Sequence, residues 1–263
     1  MARERRDVFG EAVEQYANAR PGYPEDLIED VLAYGDPASD ILEVGAGTGK
    51  ATVAFAARGV SMTCLEPDAR MAARLAAECA AFPKVSIVTS RFETWAAPTT
   101  FDVLIAAQSW HWVDPARRWD LAHRAVHAGG AIAVFWNRYI VANEELRGEL
   151  DGIDRRYHVD NAFSPNGVTT EAFPDEIVLE EGWPAYDLAG DARFEDLVSR
   201  RYRRTQIFST ATYLDLLAST SAYRIMDDRA RDALMVEVAS LTEERGGELE
   251  LDIVTDLFLG RTV

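Results

Sequence analysis

The chain has 263 residues, of which 48% are hydrophobic, and its formal net charge is −17. This length is typical of one α/β domain with an elaboration, and the apolar fraction is sufficient for a large buried core. The strong negative charge disfavours unaided binding to nucleic acid or to an anionic membrane, whose phosphates would repel the protein.

The compartment is predicted from the cysteines and the N-terminal sequence. Cys64 and Cys79 are the only cysteines, and we expect them to fill core space instead of forming a disulfide or acting as a nucleophile. The N-terminal stretch is charged without an apolar signal segment, and no run of 18 apolar residues occurs. A reducing, cytoplasmic location is therefore the expectation.

Predicted helices and strands alternate along the first half of the chain. Two helices are expected within residues 4–34, joined by the turn-forming sequence Arg-Pro-Gly-Tyr-Pro at 20–24. The elements predicted next are a strand at 41–44, a helix at 48–58, a strand at 60–66, a helix from Asp68 to about 80, strands at 85–89 and 101–106, a helix from Asp114 to about 127 and a strand at 131–136. Near-continuous apolar strands separated by helices are typical of a parallel sheet covered on both faces.

The alternation breaks after residue 137. Residues 138–200 contain scattered aromatic residues and acidic helical patterns, which we interpret as an insertion or cap over the acceptor site. A long strand at 194–208, helices at 210–226 and 227–245 and a last strand at 248–259 follow. The last strand alternates, which predicts an exposed face that lies at a sheet edge or pairs across a dimer. The predicted domains are 1–137, 138–200 and 201–263.

The strand at 41–44 leads into a glycine-rich turn, Glu-Val-Gly-Ala-Gly-Thr-Gly at 43–49. A phosphate-binding P-loop is excluded because Ala51 stands where Ser or Thr is required, and a dinucleotide fingerprint is excluded because Lys50 replaces the third glycine. Glycines at alternate positions let a ligand lie against bare backbone. At the end of the next strand, Glu66 can accept hydrogen bonds from both hydroxyls of a ribose.

Ligands of such sheets bind at the carboxyl ends of the strands. This rule brings the glycine turn, Glu66, residues 90–93 and residues 107–112 to one rim. The pattern therefore favours a nucleoside-containing ligand at that rim.

Several ordered motifs together resemble the class I S-adenosylmethionine (SAM)-dependent methyltransferases. They are the sequence at 20–24, the glycine turn with Glu66, Phe-Asp-Val-Leu-Ile-Ala-Ala-Gln-Ser-Trp-His-Trp at 101–112 and Ala-Gly-Gly-Ala-Ile-Ala-Val-Phe-Trp-Asn at 128–137. The resemblance covers about residues 8–137 and is to the small-molecule branch that includes the trans-aconitate methyltransferase-like proteins. It implies a Rossmann-like α/β fold: a seven-stranded, mostly parallel sheet with helices on both faces, a cap or insertion after the fifth strand and an antiparallel last strand.

The resemblance also implies a site for SAM, with S-adenosylhomocysteine as the product. The cofactor-binding residues that it implies are Glu43 near the methionine end, Gly45, Ala46, Gly47 and Gly49 in the turn, Glu66 and Pro67 at the ribose, Phe92 and Glu93 beside the adenine, Gln108 beneath the sulfonium, and Tyr16, Arg20 and Tyr23 in a helical lid. The family often has alanine where this chain has Phe92, so the mode of adenine contact stays open.

His111 is the candidate catalytic base, because it stands at the rim between two tryptophans that would exclude water. A base contributes only if the acceptor arrives protonated, and a purely structural role for His111 is the alternative. No metal site is predicted, since His123 and His127 are one helical turn apart but lack a third ligand nearby.

Residues 200–204, Arg-Arg-Tyr-Arg-Arg, form the densest cationic cluster. We expect ion pairs with acidic helices there. The alternative is that one of these arginines, together with Arg20 or Arg138, binds an anionic acceptor, and the motif position favours Arg20.

The function predicted from these patterns is methyl transfer from SAM to a small molecule by a monomer or homodimer, with no nucleic acid or membrane partner. A carboxylic acid that yields a methyl ester is the first acceptor class considered, and a phenolic or hydroxylated natural product is the alternative. The sequence after the strand at 101–106 lacks the [NDS]-P-P-[YFW] tetrapeptide of amide and adenine methyltransferases. A SAM-binding sensor without activity and a nicotinamide oxidoreductase are the rivals from other classes.

Overall fold

The structure is a computed structural model that describes residues 13, 19–35, 38–159, 164–175, 185–188 and 190–263. Tyr16, which the resemblance places in the cofactor lid, lies outside these residues, and so does most of the first predicted helix. Among the described helices, none combines the length and the apolar character needed to span a bilayer.

The described helices and strands follow the predicted alternation. In chain order they are α1 (Glu25–Tyr34), β1 (Asp40–Val44), α2 (Lys50–Ala56), β2 (Ser61–Leu65), α3 (Ala69–Glu78), β3 (Val85–Val88), β4 (Phe101–Ala107), α4 (Arg118–Ala125), β5 (Val126–Val141), α5 (Glu144–Arg156), α6 (Ala185–Leu188), β6 (Phe194–Ser209), α7 (Thr210–Ala218), α8 (Ser221–Arg224), α9 (Asp228–Glu244) and β7 (Glu248–Thr262). Short 3₁₀ turns at Phe92–Thr94, Trp110–Trp112 and Thr170–Ala172 complete the list.

All seven strands belong to one sheet with the order β3-β2-β1-β4-β5-β7-β6. The first five strands pair in parallel. The direction of β7 is given by two side-chain bonds to β5: Thr255 Oγ1 donates to Asn137 Oδ1 (2.7 Å) and Thr262 Oγ1 to the His127 carbonyl (2.6 Å). Residue numbers fall along one strand as they rise along the other, so β7 is antiparallel to β5. The predicted mixed α/β sheet is confirmed.

Helices cover both faces of the parallel strands. Leu27 of α1, Phe55 of α2 and Leu75 of α3 share one core cluster with Ile41, whereas Trp119 of α4 packs in the cluster on the opposite face. Successive residues of a strand point to opposite faces. Alternate β1 residues therefore enter the two clusters in turn.

The last strand lies inside the sheet. We predicted an exposed face and an edge or dimer position for it, and this prediction is wrong, because β7 runs between β5 and β6. Alternating exposure is restricted to Glu248–Asp252, and from Ile253 onward most residues are buried. The predicted strand at 194–208 is confirmed as β6, and it occupies the edge next to β7.

Two helix predictions differ from the structure. The helix predicted from Asp114 begins only at Arg118, with Arg117 at its N-cap position. Asp114 lies in the turn ahead of it, where its carboxylate accepts the N–H of Ala116 (2.9 Å) and its carbonyl accepts that of Arg118 (2.9 Å). The helix predicted at 210–226 is divided into α7 and α8. Ser219 and Thr220 end α7 by donating their hydroxyls to carbonyls three residues earlier, a local bond that competes with helix continuation.

The chain divides into two compact units. Unit 1 comprises the described residues of 1–21, 138–174 and 203–254, and unit 2 those of 22–137, 175–202 and 255–263. The candidate site described below lies in unit 2. The domain boundaries predicted from the sequence stay predictions.

Unit 1 contains a buried polar cluster around Asp154 of α5, which is fully buried. Its carboxylate accepts bonds from Ser164 Oγ (2.5 Å), Asn166 Nδ2 (2.9 Å) and the Tyr223 hydroxyl (2.8 Å). Tyr213 donates its hydroxyl to Asn166 Oδ1. Burial raises the pKa of Asp154 although these donors lower it. The cluster connects α5, α7 and α8 with the segment at 164–166.

Candidate functional site

The glycine turn between β1 and α2 requires glycine at three positions. Gly45, Gly47 and Gly49 have φ angles of 72°, 60° and 95°, a region that other residues enter at a cost. A Cβ on Gly45 would lie 2.6 Å from Ser109 Cβ, and one on Gly49 would lie 2.7 Å from Leu75 Cδ1. The turn is therefore both left-handed and closely packed, and it leaves bare backbone at the end of β1.

Backbone bonds hold this turn against the end of β2. The Leu65 carbonyl accepts the N–H groups of Gly45 (2.8 Å) and Ala46 (3.0 Å), and the Ala46 carbonyl accepts that of Gly49 (3.0 Å). The hydroxyl of Thr48 in the same turn is buried with no hydrogen-bond partner among the described residues. Buried polar groups are rarely left unpaired, so this turn has spare bonding capacity for a ligand.

Glu66, directly after β2, is 6% exposed. Its Oε2 accepts the N–H of Gly47 and its Oε1 accepts the N–H of Asp68, each at 2.8 Å. Burial raises the pKa of this carboxyl, while the two backbone bonds lower it. Each carboxylate oxygen has more than one acceptor position. Both oxygens are thus fixed in place and can accept a further bond. Pro67 stands between Glu66 and Asp68 in the chain, and its predicted place at a ribose stays a prediction.

Glu43 of β1 is the most deeply buried carboxyl of the site, at 1% exposed. Its Oε2 accepts the hydroxyl of Thr52 (2.5 Å) and lies 3.7 Å from Cys64 Sγ. Burial raises the pKa of Glu43 to about 7, with the Thr52 and Cys64 bonds opposing the shift. Glu43 thus faces α2 and β2. Its predicted position near the methionine end of a cofactor stays a prediction.

Gln108, immediately after β4, has the left-handed φ angle of 60°. A non-glycine residue in this region costs about 1–3 kcal/mol and persists where its surroundings hold it. Its N–H donates to the Phe135 carbonyl and its Nε2 to the Asn137 carbonyl, both at 2.9 Å. The next residue, Ser109, donates its hydroxyl to the Val44 carbonyl. Gln108 is therefore held between the end of β5 and the glycine turn.

Asn137 of β5 is a site residue that the sequence reasoning missed. It is 4% exposed, donates from Nδ2 to the Gly22 carbonyl (3.1 Å) and accepts at Oδ1 from Thr255 Oγ1 (2.7 Å). Tyr23 packs edge-on against Phe135 with ring centroids 4.8 Å apart. The available signal was a polar residue at the end of the apolar run at 131–136.

The residues predicted to flank the adenine occupy two different settings. Phe92 is buried at 4% exposed, and its ring centroid lies 6.2 Å from that of Trp110. The Glu93 carboxylate accepts the N–H of Asp114 (2.9 Å), and its carbonyl accepts Arg117 Nη2 (3.1 Å). Glu93 thus stabilises the turn ahead of α4, while Phe92 contributes an apolar wall. Their contact with adenine stays a prediction.

His111, the candidate base, is exposed on the 3₁₀ turn after β4. Its ring centroid lies 4.4 Å from that of Trp112, whereas Trp110 is fully buried. The flanking tryptophans led us to expect that His111 is shielded from water, but its side chain is exposed in the structure. A catalytic role for this residue stays a prediction.

Three of the predicted arginines, Arg20, Arg200 and Arg201, form hydrogen bonds or ion pairs. Arg20, in unit 1, donates from Nε to Ser219 Oγ (3.0 Å) and from Nη2 to the Ser219 carbonyl (3.1 Å). Arg201 forms a two-pronged ion pair with Asp256 (2.6 and 2.8 Å), and Arg200 pairs with Asp30 of α1. The expected ion pair with an acidic helix is present for Arg200, whereas the partner of Arg201 lies on β7. Cofactor or acceptor binding by Arg20 stays a prediction.

The structure links three of the predicted features through contacts within unit 2: the glycine turn, Glu66 and the loop at 107–112. The glycine turn bonds to Glu66 through Gly47, packs on Ser109 through Gly45 and reaches Gln108 through that neighbour. The result is a rim of bare backbone, one fixed carboxylate and one glutamine with a left-handed backbone conformation. Such a rim can hold a polar, nucleoside-sized ligand by hydrogen bonds.

Comparison with known proteins finds a family match for the part of the chain that forms the parallel strands. Residues 41–130 match the family model described as a methyltransferase domain. The chain is 36% identical over 141 residues to an uncharacterised methyltransferase of Mycobacterium tuberculosis, Rv3342, and to one of Mycobacterium bovis, Mb3374. The match covers 52% of this chain and 56% of each relative. The chain thus spans about half the length of the curated relatives it matches.

Solved structures share the fold over most of the chain. A provisionally named type II methyltransferase of Anaeromyxobacter dehalogenans is 23% identical with a TM-score of 0.64, covering 92% of this chain and 97% of that chain. A SAM-dependent methyltransferase of Geobacter sulfurreducens, solved in complex with S-adenosyl-L-homocysteine, is 14% identical with a TM-score of 0.54 and 100% coverage of both chains. At these identities the likeness shows the fold alone.

The sheet order, the glycine turn and the matched residues together define a methyltransferase domain of the Rossmann-like type. Residues 41–130 match a methyltransferase domain, and the chain shares its fold with solved methyltransferases, one of which is described as SAM-dependent. The resemblance predicted from the sequence is confirmed at this level. Membership of the trans-aconitate methyltransferase-like branch stays a prediction.

Proposed function

We propose that the protein binds SAM at the rim of unit 2 and transfers its methyl group to a small-molecule acceptor. The observation that carries this proposal is Glu66, whose two oxygens are held by the N–H groups of Gly47 and Asp68 at 2.8 Å. A carboxylate fixed in this way accepts the two hydroxyls of a ribose without reorganising. Charge-assisted bonds of this kind are worth about 1.5–3 kcal/mol each.

The residues present fit this cofactor. The glycine turn would accommodate the methionine part against backbone, since Gly45, Gly47 and Gly49 carry no side chains. Buried Phe92 would supply an apolar wall for the adenine. The cofactor itself would supply an electrophilic methyl group on a sulfonium.

The work left to this chain is positioning. Holding the acceptor atom in line with the transferred methyl supplies about 7–11 kcal/mol of the barrier without a special side chain. Gln108 suits such a role, because its backbone and side-chain amide groups are both held at 2.9 Å and its strained conformation is maintained by these bonds. A base is a separate requirement that depends on the acceptor.

The acceptor class that we propose first is a carboxylic acid, giving a methyl ester. Carboxylic acids are ionised near neutral pH, so they need no base, and His111 is exposed where a base working in a dry site would be buried. A phenol would arrive protonated and would require one. Cytoplasmic location, absence of nucleic acid and membrane partners, and a monomeric or homodimeric state remain parts of this proposal.

Transfer of labelled methyl from SAM to a panel of small carboxylic acids, phenols and alcohols tests the proposal. We expect label on an acid, lost in mild base as an ester is. Label on phenols alone would support SAM as the cofactor but would contradict a carboxylic acid as the acceptor. Binding of S-adenosylhomocysteine with no transfer to any acceptor would favour the sensor alternative.

A further inference from the structure

Asn137 is the point at which three separate chain segments of unit 2 meet. Its backbone carbonyl accepts Gln108 Nε2 (2.9 Å), its Nδ2 donates to the Gly22 carbonyl (3.1 Å) and its Oδ1 accepts Thr255 Oγ1 (2.7 Å). The residue is 4% exposed and Thr255 is fully buried. Each of these bonds therefore forms away from water, where an unpaired partner is costly.

The orientation of the Asn137 amide is determined by its partners. A carbonyl oxygen only accepts, so the group facing the Gly22 carbonyl must be the NH₂ end. The oxygen end then faces Thr255, whose hydroxyl supplies the proton. A carboxylate at this position would direct an oxygen at the Gly22 carbonyl and repel it.

The two segments bonded to Asn137 make further contacts of their own. On one side, the Gly22 carbonyl is bound and the adjacent Tyr23 ring packs on Phe135 at 4.8 Å. On the other side, Gln108 is followed by Ser109, which bonds the last carbonyl of β1. Asn137 thus sets the spacing between the Gly22–Tyr23 segment and the loop that follows β4.

We propose that Asn137 is a positioning residue for cofactor binding, which fixes the Gly22–Tyr23 segment and the Gln108 loop to each other, and that Thr255 orients its amide. This inference rests on the proposed SAM site. The inference gives β7 an indirect role in that site, because the buried hydroxyl of Thr255 orients the Asn137 amide. Neither residue is assigned to contact the cofactor.

The test compares the Asn137→Asp, Thr255→Val and Thr255→Ser variants. S-adenosylhomocysteine affinity is measured by calorimetry, and amide hydrogen exchange is measured in the peptides that contain Gly22–Ile28 and Gln108–Trp112. We expect Asn137→Asp to weaken affinity at least 10-fold and to speed exchange in the Gly22–Ile28 peptide, which the Asn137 side chain holds, with β1 and β2 unchanged. The Gln108–Trp112 peptide, which is held by the main-chain carbonyl of residue 137, should change less. Thr255→Val, which removes the hydroxyl, should also weaken affinity and speed exchange. Thr255→Ser, which keeps the hydroxyl, should have the affinity and exchange rates of the wild type.

Asn143→Asp is the matched control, because Asn143 caps α5 by accepting the Leu146 N–H (3.0 Å), which aspartate also does. Unchanged affinity and exchange in Asn137→Asp would overturn the proposal, as would a Thr255→Ser variant as weak as Thr255→Val. If Asn137→Asp does not fold, the two Thr255 variants decide. If wild-type protein does not bind S-adenosylhomocysteine, the proposed function fails, while the exchange measurements still decide whether Asn137 couples the two segments.

Discussion

At the scale of single residues, the carboxylate of Glu66 is the feature most directly suited to ribose recognition. We expect Glu66→Gln to weaken S-adenosylhomocysteine binding about 10- to 100-fold, the equivalent of one lost charge-assisted bond. The physical reason is that an NH₂ group would face the N–H of Gly47 or Asp68, which the carboxylate now accepts. Titration calorimetry measures the change.

Glu29→Gln serves as the control, because Glu29 is on α1 and pairs with Arg58 (3.0 Å) at the surface. It should leave affinity unchanged. Equal affinities for wild type and Glu66→Gln would show that Glu66 does not bind the ribose.

Glu43 gives a pH-dependent prediction. Its pKa in the folded protein is about 7, raised by burial from an ordinary 4.5, so its contribution to stability is fully present below pH 4.5 and is lost as the pH rises through 7. Glu43→Gln removes this titration. Relative to wild type, the variant should gain stability between pH 5 and pH 8, by up to about 1.4 kcal/mol per pH unit over the titrating range.

Urea denaturation of both proteins at pH 5, 6, 7 and 8 measures this difference. A constant gap between the two curves across the series would mean that Glu43 does not titrate there.

At the scale of elements, a comparison of two glycines distinguishes the cost of backbone strain from the cost of a steric clash. Gly59 and Gly45 both have positive φ angles, 82° and 72°, but a Cβ at Gly59 would meet nothing within 4 Å, whereas at Gly45 it would clash with Ser109. We expect Gly59→Ala to cost about 1–2 kcal/mol, the strain alone, and Gly45→Ala to cost more. Chemical denaturation measures both, and equal losses would contradict the packing argument.

The buried cluster of unit 1 makes a second element-scale prediction. Tyr223 bonds the Asp154 carboxylate (2.8 Å), whereas Tyr213 bonds the neutral amide oxygen of Asn166. Bonds to charged groups are worth about 1.5–3 kcal/mol and neutral ones about 0.5–1.5. Tyr223→Phe should therefore lower the free energy of unfolding more than Tyr213→Phe. The reverse order in thermal denaturation would show that Asp154 is not ionised in the fold.

Local patterns predicted the elements whose signals are local. Strand β1, the glycine turn and the Asp68 cap of α3 each depend on a few adjacent residues, and all were predicted. The predicted start of α4 was wrong because Asp114-Pro115 forms a turn through the same kind of local bonds that begin a helix, and the helix itself begins only at Arg118. The position of β7 was wrong because alternation in its first residues does not report its neighbours.

In the candidate site, too, residues fixed by local contacts were predicted and a residue fixed by distant contacts was missed. Glu66 was predicted because it follows a motif at fixed spacing, and its two backbone anchors come from nearby residues. Asn137 was missed because its partners, Gly22 and Thr255, are more than 100 residues away on either side. Contacts at such separation leave no pattern in one sequence. The left-handed conformation of Gln108 likewise depends on β5.

At the scale of the whole molecule, charge sets the choice of partners. The net charge of −17 would oppose approach to a polyanion, whose binding depends on cations that neutralise phosphates. We expect no DNA binding in a gel-shift assay at about 150 mM salt, near the physiological ionic strength. Salt-sensitive DNA retention at micromolar protein would contradict the small-molecule assignment.

The most direct test of the central claim is a calorimetric titration of the wild-type protein with S-adenosylhomocysteine, compared with NAD in the same preparation. The fixed Glu66 carboxylate and the glycine turn predict saturable binding of S-adenosylhomocysteine and none of NAD, because Lys50 stands where a dinucleotide fingerprint requires its third glycine. Binding of NAD, or no binding of S-adenosylhomocysteine, would contradict the proposed cofactor site.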